Sequence, residues 1–277
     1  MSTLAITGPA CLVADLGSQN PFDPQKLRAA RWNGVACEGV ILRATRSTGE
    51  IDQQFAVRYA VASRLGFLVG AYDFNTGEAA AVQAARFLKA TAGRPGLARV
   101  LDFERNPSGA QMTLAMAIEW LDRVDQATGF RAWLYSGDQI KSLVTKATAA
   151  QRDFLGQHLF WGCEYGPTFK LFDDNGKRLP WTNAALWQFT GDGVGPEPRT
   201  LDGLEEGADL SIFNGTRADL EKIWSGAPVV TQARWPAASA VPPLPAVTAA
   251  AAPEATAPAP KPAARAFDWF FDLFGPA

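Results

Sequence analysis

The chain has 277 residues, 47% hydrophobic and 19% charged, which is ordinary for a globular protein and long enough for one large domain with an appendage. Its net charge is −2 and it has no long run of Lys or Arg, so nothing indicates a nucleic-acid partner. Because His158 is the only histidine, a Ser-His-Asp triad or a multi-histidine metal site is disfavoured. We therefore expect no metal, no cofactor, and chemistry that rests on carboxylates.

The three cysteines, Cys11, Cys37 and Cys163, lie far apart and contain no Cys-x-x-Cys pair, so we predict buried thiols and not a disulfide framework or zinc site. No stretch approaches the roughly 20 apolar residues of a membrane span. Residues 1–10 have no basic region and no long apolar run, unlike a secretory signal. If the substrate lies outside the cytoplasm, we expect the protein to reach it by another route.

Apolar runs alternate with helical patterns along most of the chain. Predicted strands cover residues 11–16, 40–45, 67–74, 99–104 and 131–136, and predicted helices cover 24–33, 52–65, 78–92, 111–128 and 139–157, the last in two pieces. Strands at 159–165, 185–190 and 208–213 follow with little helix between them, and a helix at 217–224 closes the unit. Alternation indicates parallel units, so eight strands predict an α/β fold: an irregular TIM-like barrel of five β/α units followed by three strands.

The fourth predicted strand ends in two carboxylates, Asp102 and Glu104. Because side chains alternate along a strand, both are expected on one face, roughly 6–7 Å apart. Two neighbouring acids raise each other's cost of ionising, so one can stay protonated while the other is charged. That combination suits cleavage of a glycosidic bond, although an isolated Asp-x-Glu at a strand end is more often structural or solvated.

In barrels of this kind the C-terminal strand ends carry the chemistry. Closure would place the first and last strands side by side, bringing Asp15 near Asp209, with the fourth strand facing them across the mouth. Aromatic faces at strand ends are surfaces on which sugar rings pack, although each aromatic taken alone also fits a core position. The predicted substrate contacts are Tyr72, Asp73, Tyr135, Trp161, Trp187 and Gln188.

Six segments, in their order and spacing, resemble glycoside hydrolase family 25, the Chalaropsis-type lysozymes or N-acetylmuramidases. They are Ala14-Asp15-Leu16-Gly17-Ser18, Val69-Gly70-Ala71-Tyr72, Leu101-Asp102-Phe103-Glu104, Trp133-Leu134-Tyr135-Ser136, Leu186-Trp187-Gln188-Phe189-Thr190 and Ala208-Asp209-Leu210-Ser211-Ile212-Phe213-Asn214-Gly215. The resemblance covers about residues 12–224. It implies a flattened barrel of five β/α units followed by three strands, in agreement with the count above.

The resemblance also implies roles and a substrate. Glu104 matches the family's proton donor, Asp102 its partner, and Asp15 and Asp209 further acids of the cleft. The implied reaction is cleavage of the β-1,4 bond between N-acetylmuramic acid and N-acetylglucosamine in bacterial peptidoglycan. Both an acetamido-assisted route and a glycosyl-enzyme route through Asp102 are open. With no signal peptide seen, we expect a bacteriophage endolysin or virion-associated lysin, held in host cytoplasm or virion until release; a secretion-system effector is the alternative.

Two positions depart from the family's pattern. Arg46 stands where the family usually has a glutamate, and Asp73 where it usually has a histidine. The Asp102–Glu104 pair is untouched, so the departures affect the expected substrate contacts more than the chemistry. Two other readings stay open: a chitinase or glucosaminidase on a similar barrel, and a catalytically weak glycan-binding protein.

The C-terminal part changes composition. We predict a catalytic barrel at residues 11–225, a Pro/Ala-rich linker at 226–265 and an aromatic amphipathic segment at 266–277. Phe267, Phe270, Phe271 and Phe274 fall on one helical face. The segment is expected either to fold back onto the barrel or to dock on a protein partner or a membrane surface. Its acidic polar face favours a protein partner.

Overall fold

The computed structural model describes residues 4–46, 49–107 and 109–228. The strands are β1 (Ala10–Leu16), β2 (Arg31–Trp32), β3 (Val35–Arg46), β4 (Glu50–Ile51), β5 (Leu68–Phe74), β6 (Ala98–Asp102), β7 (Trp133–Ser136), β8 (Leu159–Cys163), β9 (Leu186–Thr190) and β10 (Asp209–Asn214). The helices are α1 (Pro24–Ala29), α2 (Phe55–Arg64), α3 (Ala80–Thr91), α4 (Leu114–Thr128), α5 (Asp138–Leu143), α6 (Ala149–Leu155) and α7 (Arg217–Trp224). The predicted segment 266–277 and all but the first residues of the predicted linker lie outside the described residues.

Eight of the described strands close into a barrel in the order β1-β10-β9-β8-β7-β6-β5-β3, with β3 pairing back onto β1. Neighbouring strands are parallel except at β10, which is antiparallel to both β1 and β9. The two-residue strands β2 and β4 pair only with β3. Helices follow β1, β3, β5, β6 and β7, whereas β8, β9 and β10 succeed one another without a helix. The predicted barrel of five β/α units followed by three strands is confirmed.

The first helix starts where the sequence predicts and ends earlier. Asp23 caps α1 by accepting from the backbone amides of Gln25 and Lys26, and Pro24 is its first residue. The predicted end at Asn33-Gly34 is wrong, because the helix stops at Ala29 and Asn33-Gly34 forms the tight turn between β2 and β3. Both turn residues have positive φ, 48° and 82°, which is the conformation an Asn-Gly hairpin turn requires.

The interior of the barrel is filled and closed at its N-terminal end by α7. Trp224 is 2% exposed, its indole nitrogen donates to the Val69 carbonyl at 2.9 Å, and its ring lies 5.6 Å from that of Trp133. A Cβ on Gly39 would lie 2.7 Å from the Trp224 ring, so this strand position has to lack a side chain. Because the N-terminal end of the barrel is closed, its open end is the one formed by the C-terminal ends of the strands.

A second apolar layer separates the barrel from its helices. The predicted apolar face of α4, formed by Leu114, Ile118, Leu121 and Val124, is buried there. No helix of the described residues is long and apolar enough to cross a membrane.

The cysteines and the single histidine take structural positions. Cys11 and Cys37 are buried free thiols, as predicted, whereas Cys163 at the end of β8 is only half-buried. His158 follows α6, with Nδ1 2.9 Å from the Phe154 carbonyl and Nε2 3.0 Å from Asp125 Oδ2. The histidine therefore links α6 to α4 and lies in the packed layer of the molecule.

Candidate active site

A cavity of about 280 Å³ opens at the C-terminal ends of the barrel strands. The four acids predicted from the sequence, Asp15, Asp102, Glu104 and Asp209, all line it. The remaining lining residues are Gly17, Gln19, Asn20, Arg43, Tyr72, Phe74, Tyr135, Trp161, Tyr165, Gln188 and Asp192. The barrel therefore brings together five carboxylates, three tyrosines and a tryptophan in one concave site.

The direction of β10 explains how Asp209 reaches the mouth although it begins its strand. Because β10 runs antiparallel to β1, its first residue lies beside the end of β1, and Asp209 is the direct register partner of Asp15. The expectation that closure brings these two acids together is confirmed. Asp102 enters the same cavity from β6, which is separated from β1 by β5 and β3.

Glu104 lies two residues beyond the end of β6, so the prediction that it belongs to the strand is wrong. The ladder between β6 and β7 ends at the pair Asp102–Tyr135. Glu104 nevertheless lines the cavity and is half-buried, whereas Asp102 is 7% exposed. The pair therefore consists of an enclosed acid and a more accessible one.

Burial and mutual repulsion raise the pKa values of the acids. Burial is the main cause for Asp15 and for Asp102, and the nearby charges of Asp209 on the former and Glu104 on the latter raise them further. Asp15 Oδ2 and Asp102 Oδ1 have no hydrogen-bond partner among the described residues. Both carboxyls thus carry an oxygen that can accept a bond from a ligand or hold a proton.

Asp192 is a cleft acid that the sequence reasoning missed. It lies on the turn after β9 with a φ of 50°, and its charge is the second cause, after burial, that raises the pKa of Glu104. Burial and the same charge raise the pKa of Asp209 to about 7. A Cβ on Gly191 would lie 2.1 Å from Asp209 Oδ1, so the turn approaches the carboxyl without a side chain between them. The Gly-Asp-Gly sequence around Asp192 indicates a turn, and nothing in it indicates a functional site.

Four of the six predicted substrate contacts line the cavity: Tyr72, Tyr135, Trp161 and Gln188. The Tyr135 and Trp161 rings lie 4.4 Å apart, and the Tyr135 hydroxyl donates to Gln188 Oε1. The Trp161 indole nitrogen donates to Ser211 Oγ at 2.9 Å. These bonds hold the aromatic wall in one arrangement before any ligand binds.

The other two predicted contacts, Asp73 and Trp187, lie outside the cavity. Asp73 is fully buried on the outer side of β5, where its carboxylate accepts from Thr45 Oγ1 at 2.6 Å and Trp120 Nε1 at 2.8 Å. Trp187 packs against the Phe169 and Phe189 rings, each 6.2 Å away. Because side chains alternate along a strand, Tyr72 and Gln188 facing inward force Asp73 and Trp187 outward.

A basic residue also enters the cavity. Arg43 lies two positions after the interior residue Ile41, so the same alternation could have placed it there. Its Nε lies 3.3 Å from Asp52 Oδ2, and another guanidinium nitrogen donates to Ser18 Oγ. Arg46, one of the two departures noted in the sequence, is outside the cavity lining and packs its guanidinium over the Phe74 ring at 5.6 Å.

The arrangement can perform acid-assisted cleavage of a glycosidic bond. Such a reaction needs a protonated acid beside the leaving oxygen and negative charge beside the developing oxocarbenium ion. Burial and the charge of Asp192 raise the pKa of Glu104, which favours its protonated form, and the same cavity holds four further acids. Among the described residues, no group of three or more His, Cys, Asp or Glu has the geometry of a metal site.

Comparisons with known proteins find a relative in sequence and solved structures of the same fold. The chain is 26% identical over 211 residues to an uncharacterized protein, YegX, of Escherichia coli O157:H7, covering 75% of this chain and 71% of the relative. It shares its fold with a bacterial lysozyme from Streptomyces coelicolor (TM-score 0.63, 20% identity, 80% of this chain and 99% of that one). A muramidase from Acremonium alcalophilum is also similar (TM-score 0.58, 21% identity, 76% and 97%).

A family model, Glycosyl hydrolases family 25, matches residues 19–197. The matched range includes Asp102 and Glu104; Asp15 and Asp209 lie just outside it and join the site through the pairing of β1 with β10. With the matching range, the closed barrel and the acid-lined cavity in agreement, the chain belongs to the glycosyl hydrolases of family 25 and is a lysozyme-like glycoside hydrolase.

Proposed function

We propose that this protein is a peptidoglycan hydrolase that cleaves the β-1,4 bond between N-acetylmuramic acid and N-acetylglucosamine. The observation that carries the proposal is one cavity, in a family 25 barrel, that holds Glu104 and Asp102 beside a second acid pair. Glu104 is the general acid and base, and Asp102 is its partner.

The environments of the two acids support this division of roles. Burial raises the pKa of both acids, so it is accessibility that separates them: Glu104 is half-buried, and its carboxyl can reach a bound sugar. Asp102 is more enclosed and has an oxygen without a partner among the described residues. That oxygen can accept from the substrate's acetamido N–H, attack the anomeric carbon, or stabilise the positive charge that develops there.

Asp15 and Asp209 form a second acid pair in register across two strands. Burial is the main cause that raises both pKa values; the charge of Asp209 raises that of Asp15 further, and the charges of Asp192 and Glu104 raise that of Asp209 further. Negative charge on this pair would offset the positive charge of the oxocarbenium ion. We assign it an electrostatic role beside the Asp102–Glu104 pair.

The similar structures are those of a lysozyme and a muramidase, which supports cleavage on the muramic acid side. The alternatives are a chitinase or glucosaminidase, and a weak glycan-binding protein. The glycan-binding interpretation takes Arg46 and Asp73 as signs of a cleft that binds glycan and no longer cleaves it. Both lie outside the cavity lining, so these departures leave the acids of the cavity intact and favour the enzyme.

Digestion of purified peptidoglycan, followed by borohydride reduction and mass spectrometry of the products, tests the bond assignment. We expect reduced muramic acid at the new ends with the wild type and no new ends with Glu104→Gln. Reduced glucosamine ends would instead identify a glucosaminidase. Binding without any new ends from the wild type would support the glycan-binding reading.

The proposed substrate places the action of the protein at the bacterial cell wall. Release from a phage-infected cell, or delivery with a virion, stays a prediction, as does a protein or membrane partner for residues 266–277.

A further inference from the structure

The main chain that carries Glu104 is fixed by hydrogen bonds that replace the missing strand ladder. Phe103 N donates to the Tyr135 carbonyl at 2.9 Å, and the Phe103 carbonyl accepts from Ser136 Oγ at 2.6 Å. The Phe103 side chain is fully buried in the layer between barrel and helices. These contacts fix Phe103, which is the residue between the two acids. They do not fix the neighbouring carbonyls of Asp102 and Glu104, which need another partner.

That group is Asn75, one residue beyond the end of β5. Its side-chain Nδ2 donates to the Asp102 carbonyl at 2.7 Å and to the Glu104 carbonyl at 2.9 Å. Its backbone N–H also donates to the Asp102 carbonyl, at 3.2 Å. One amide group therefore spans the main chain on both sides of Phe103, immediately behind the acid pair.

The burial and chemistry of Asn75 make this contact specific. The residue is fully buried, and both amide hydrogens face carbonyl oxygens, which only accept. A side chain without two donors at this position would remove this partner from the Glu104 carbonyl and leave the Asp102 carbonyl with the Asn75 backbone N–H, which is costly in a buried site. An aspartate would place carboxylate oxygens against carbonyl oxygens.

We propose that Asn75 is a positioning residue that fixes the Glu104 carboxyl in the cavity by binding the main-chain carbonyls of Asp102 and Glu104. The inference rests on the proposed function, since it gives Asn75 a role only if Glu104 is the acid. Asn75 is not among the residues that line the cavity, and it acts through the peptide groups. Displacing a reacting group by about 1 Å can lower a rate 100-fold, so a loosened Glu104 is expected to lower kcat and not substrate binding.

The same loop region offers a matched control, Gln83. Like Asn75 it is a fully buried amide whose nitrogen donates to two main-chain carbonyls, Thr76 at 3.0 Å and Glu78 at 2.6 Å. Its bonds brace the loop before α3 and none reaches residues 102–104. Each substitution removes two bonds to main-chain carbonyls, and Gln83→Ala also removes the bond from Thr76 N to Gln83 Oε1 at 3.1 Å; only Asn75→Ala is expected to loosen the acid.

The test compares steady-state kinetics of Asn75→Ala, Gln83→Ala and Glu104→Gln in the full chain on sonicated peptidoglycan, with thermal unfolding of each. For Asn75→Ala we expect kcat about 10- to 100-fold lower with KM within about twofold. Its alkaline limb of kcat/KM should move to lower pH, because a Glu104 freed into water regains a lower pKa. Gln83→Ala should lose similar thermal stability and keep its kcat and pH profile.

An Asn75→Ala protein that matches Gln83→Ala in kcat and pH profile, beside an inactive Glu104→Gln, overturns the positioning role alone. A fully active Glu104→Gln overturns that role together with the proposed acid. If Asn75→Ala does not fold, Asn75→Ser, which shortens the side chain and removes the amide that spans the two carbonyls, takes its place in the comparison. We expect kcat about 3- to 10-fold lower for that variant, and an unchanged kcat counts against the proposal.

Discussion

Trp224 is predicted to contribute more to stability than any other single side chain that closes the barrel. The substitution Trp224→Ala removes a 2% exposed indole that closes the N-terminal end and packs against Trp133 at 5.6 Å. Buried Trp→Ala changes cost about 3–5 kcal/mol, and the loss of the indole N–H leaves the Val69 carbonyl without its partner. We expect a loss of about 4–5 kcal/mol in the free energy of unfolding, a large part of the 5–15 kcal/mol typical of a domain.

Urea unfolding followed by circular dichroism measures this loss, with two variants as controls. Trp187→Ala removes a tryptophan of the outer surface that is only half-buried, and should cost about 2 kcal/mol. Trp224→Phe keeps most of the ring and loses the bond to the Val69 carbonyl, so we expect about 1–2 kcal/mol. A loss below about 2 kcal/mol for Trp224→Ala, or one no larger than that for Trp187→Ala, would refute the assignment of Trp224 as the residue that closes the barrel.

Three further predictions concern the acids. Asp192→Asn should move the alkaline limb of kcat/KM to lower pH, more at low salt than at high salt, because it removes a charge that raises the pKa of Glu104; an unmoved limb would contradict this. Gly191→Ala should lower kcat at least about tenfold, with folding retained by circular dichroism, because its Cβ would displace the Asp209 carboxyl; wild-type kinetics would contradict it. Because burial raises the pKa of Asp73 to about 7, it binds its proton more tightly folded than unfolded, so stability should fall as pH rises from about 4 to 7 and level off above. Urea unfolding of wild type and Asp73→Asn at pH 5 and 8 checks this, and a loss equally large in the variant would contradict it.

The architecture could be predicted because its evidence is local and repeated. Each apolar run followed by a helical pattern implies a parallel unit, and the absence of helices after β8 and β9 is visible in the same way. The direction of β10 could not be obtained from its own residues. The strand pairing shows it antiparallel to both neighbours, which explains why Asp209, at the start of its strand, still reaches the cavity.

Side-chain alternation along a strand predicts part of the candidate site, and the wrong predictions are those that conflict with it. Alternation along a strand forbids both Tyr72 and Asp73, or both Trp187 and Gln188, from facing the cavity, yet all four were predicted as contacts. The same rule places Arg43 inside, two positions after Ile41. Asp192 and Asn75 lie after strand ends, where the chain has no period, so only the three-dimensional structure shows what they approach.

The central claim is that Glu104 is the acid of a peptidoglycan hydrolase, and the rate of Glu104→Gln measures it most directly. The amide keeps the size of the side chain and cannot give a proton to the leaving oxygen, and thermal unfolding verifies that the variant is folded. We predict that kcat on purified peptidoglycan falls at least about 100-fold, at the lower end of what general acid catalysis contributes, while Trp187→Ala, altered outside the cavity, keeps the wild-type rate. A folded Glu104→Gln protein that retains more than about a tenth of the wild-type kcat would contradict the account.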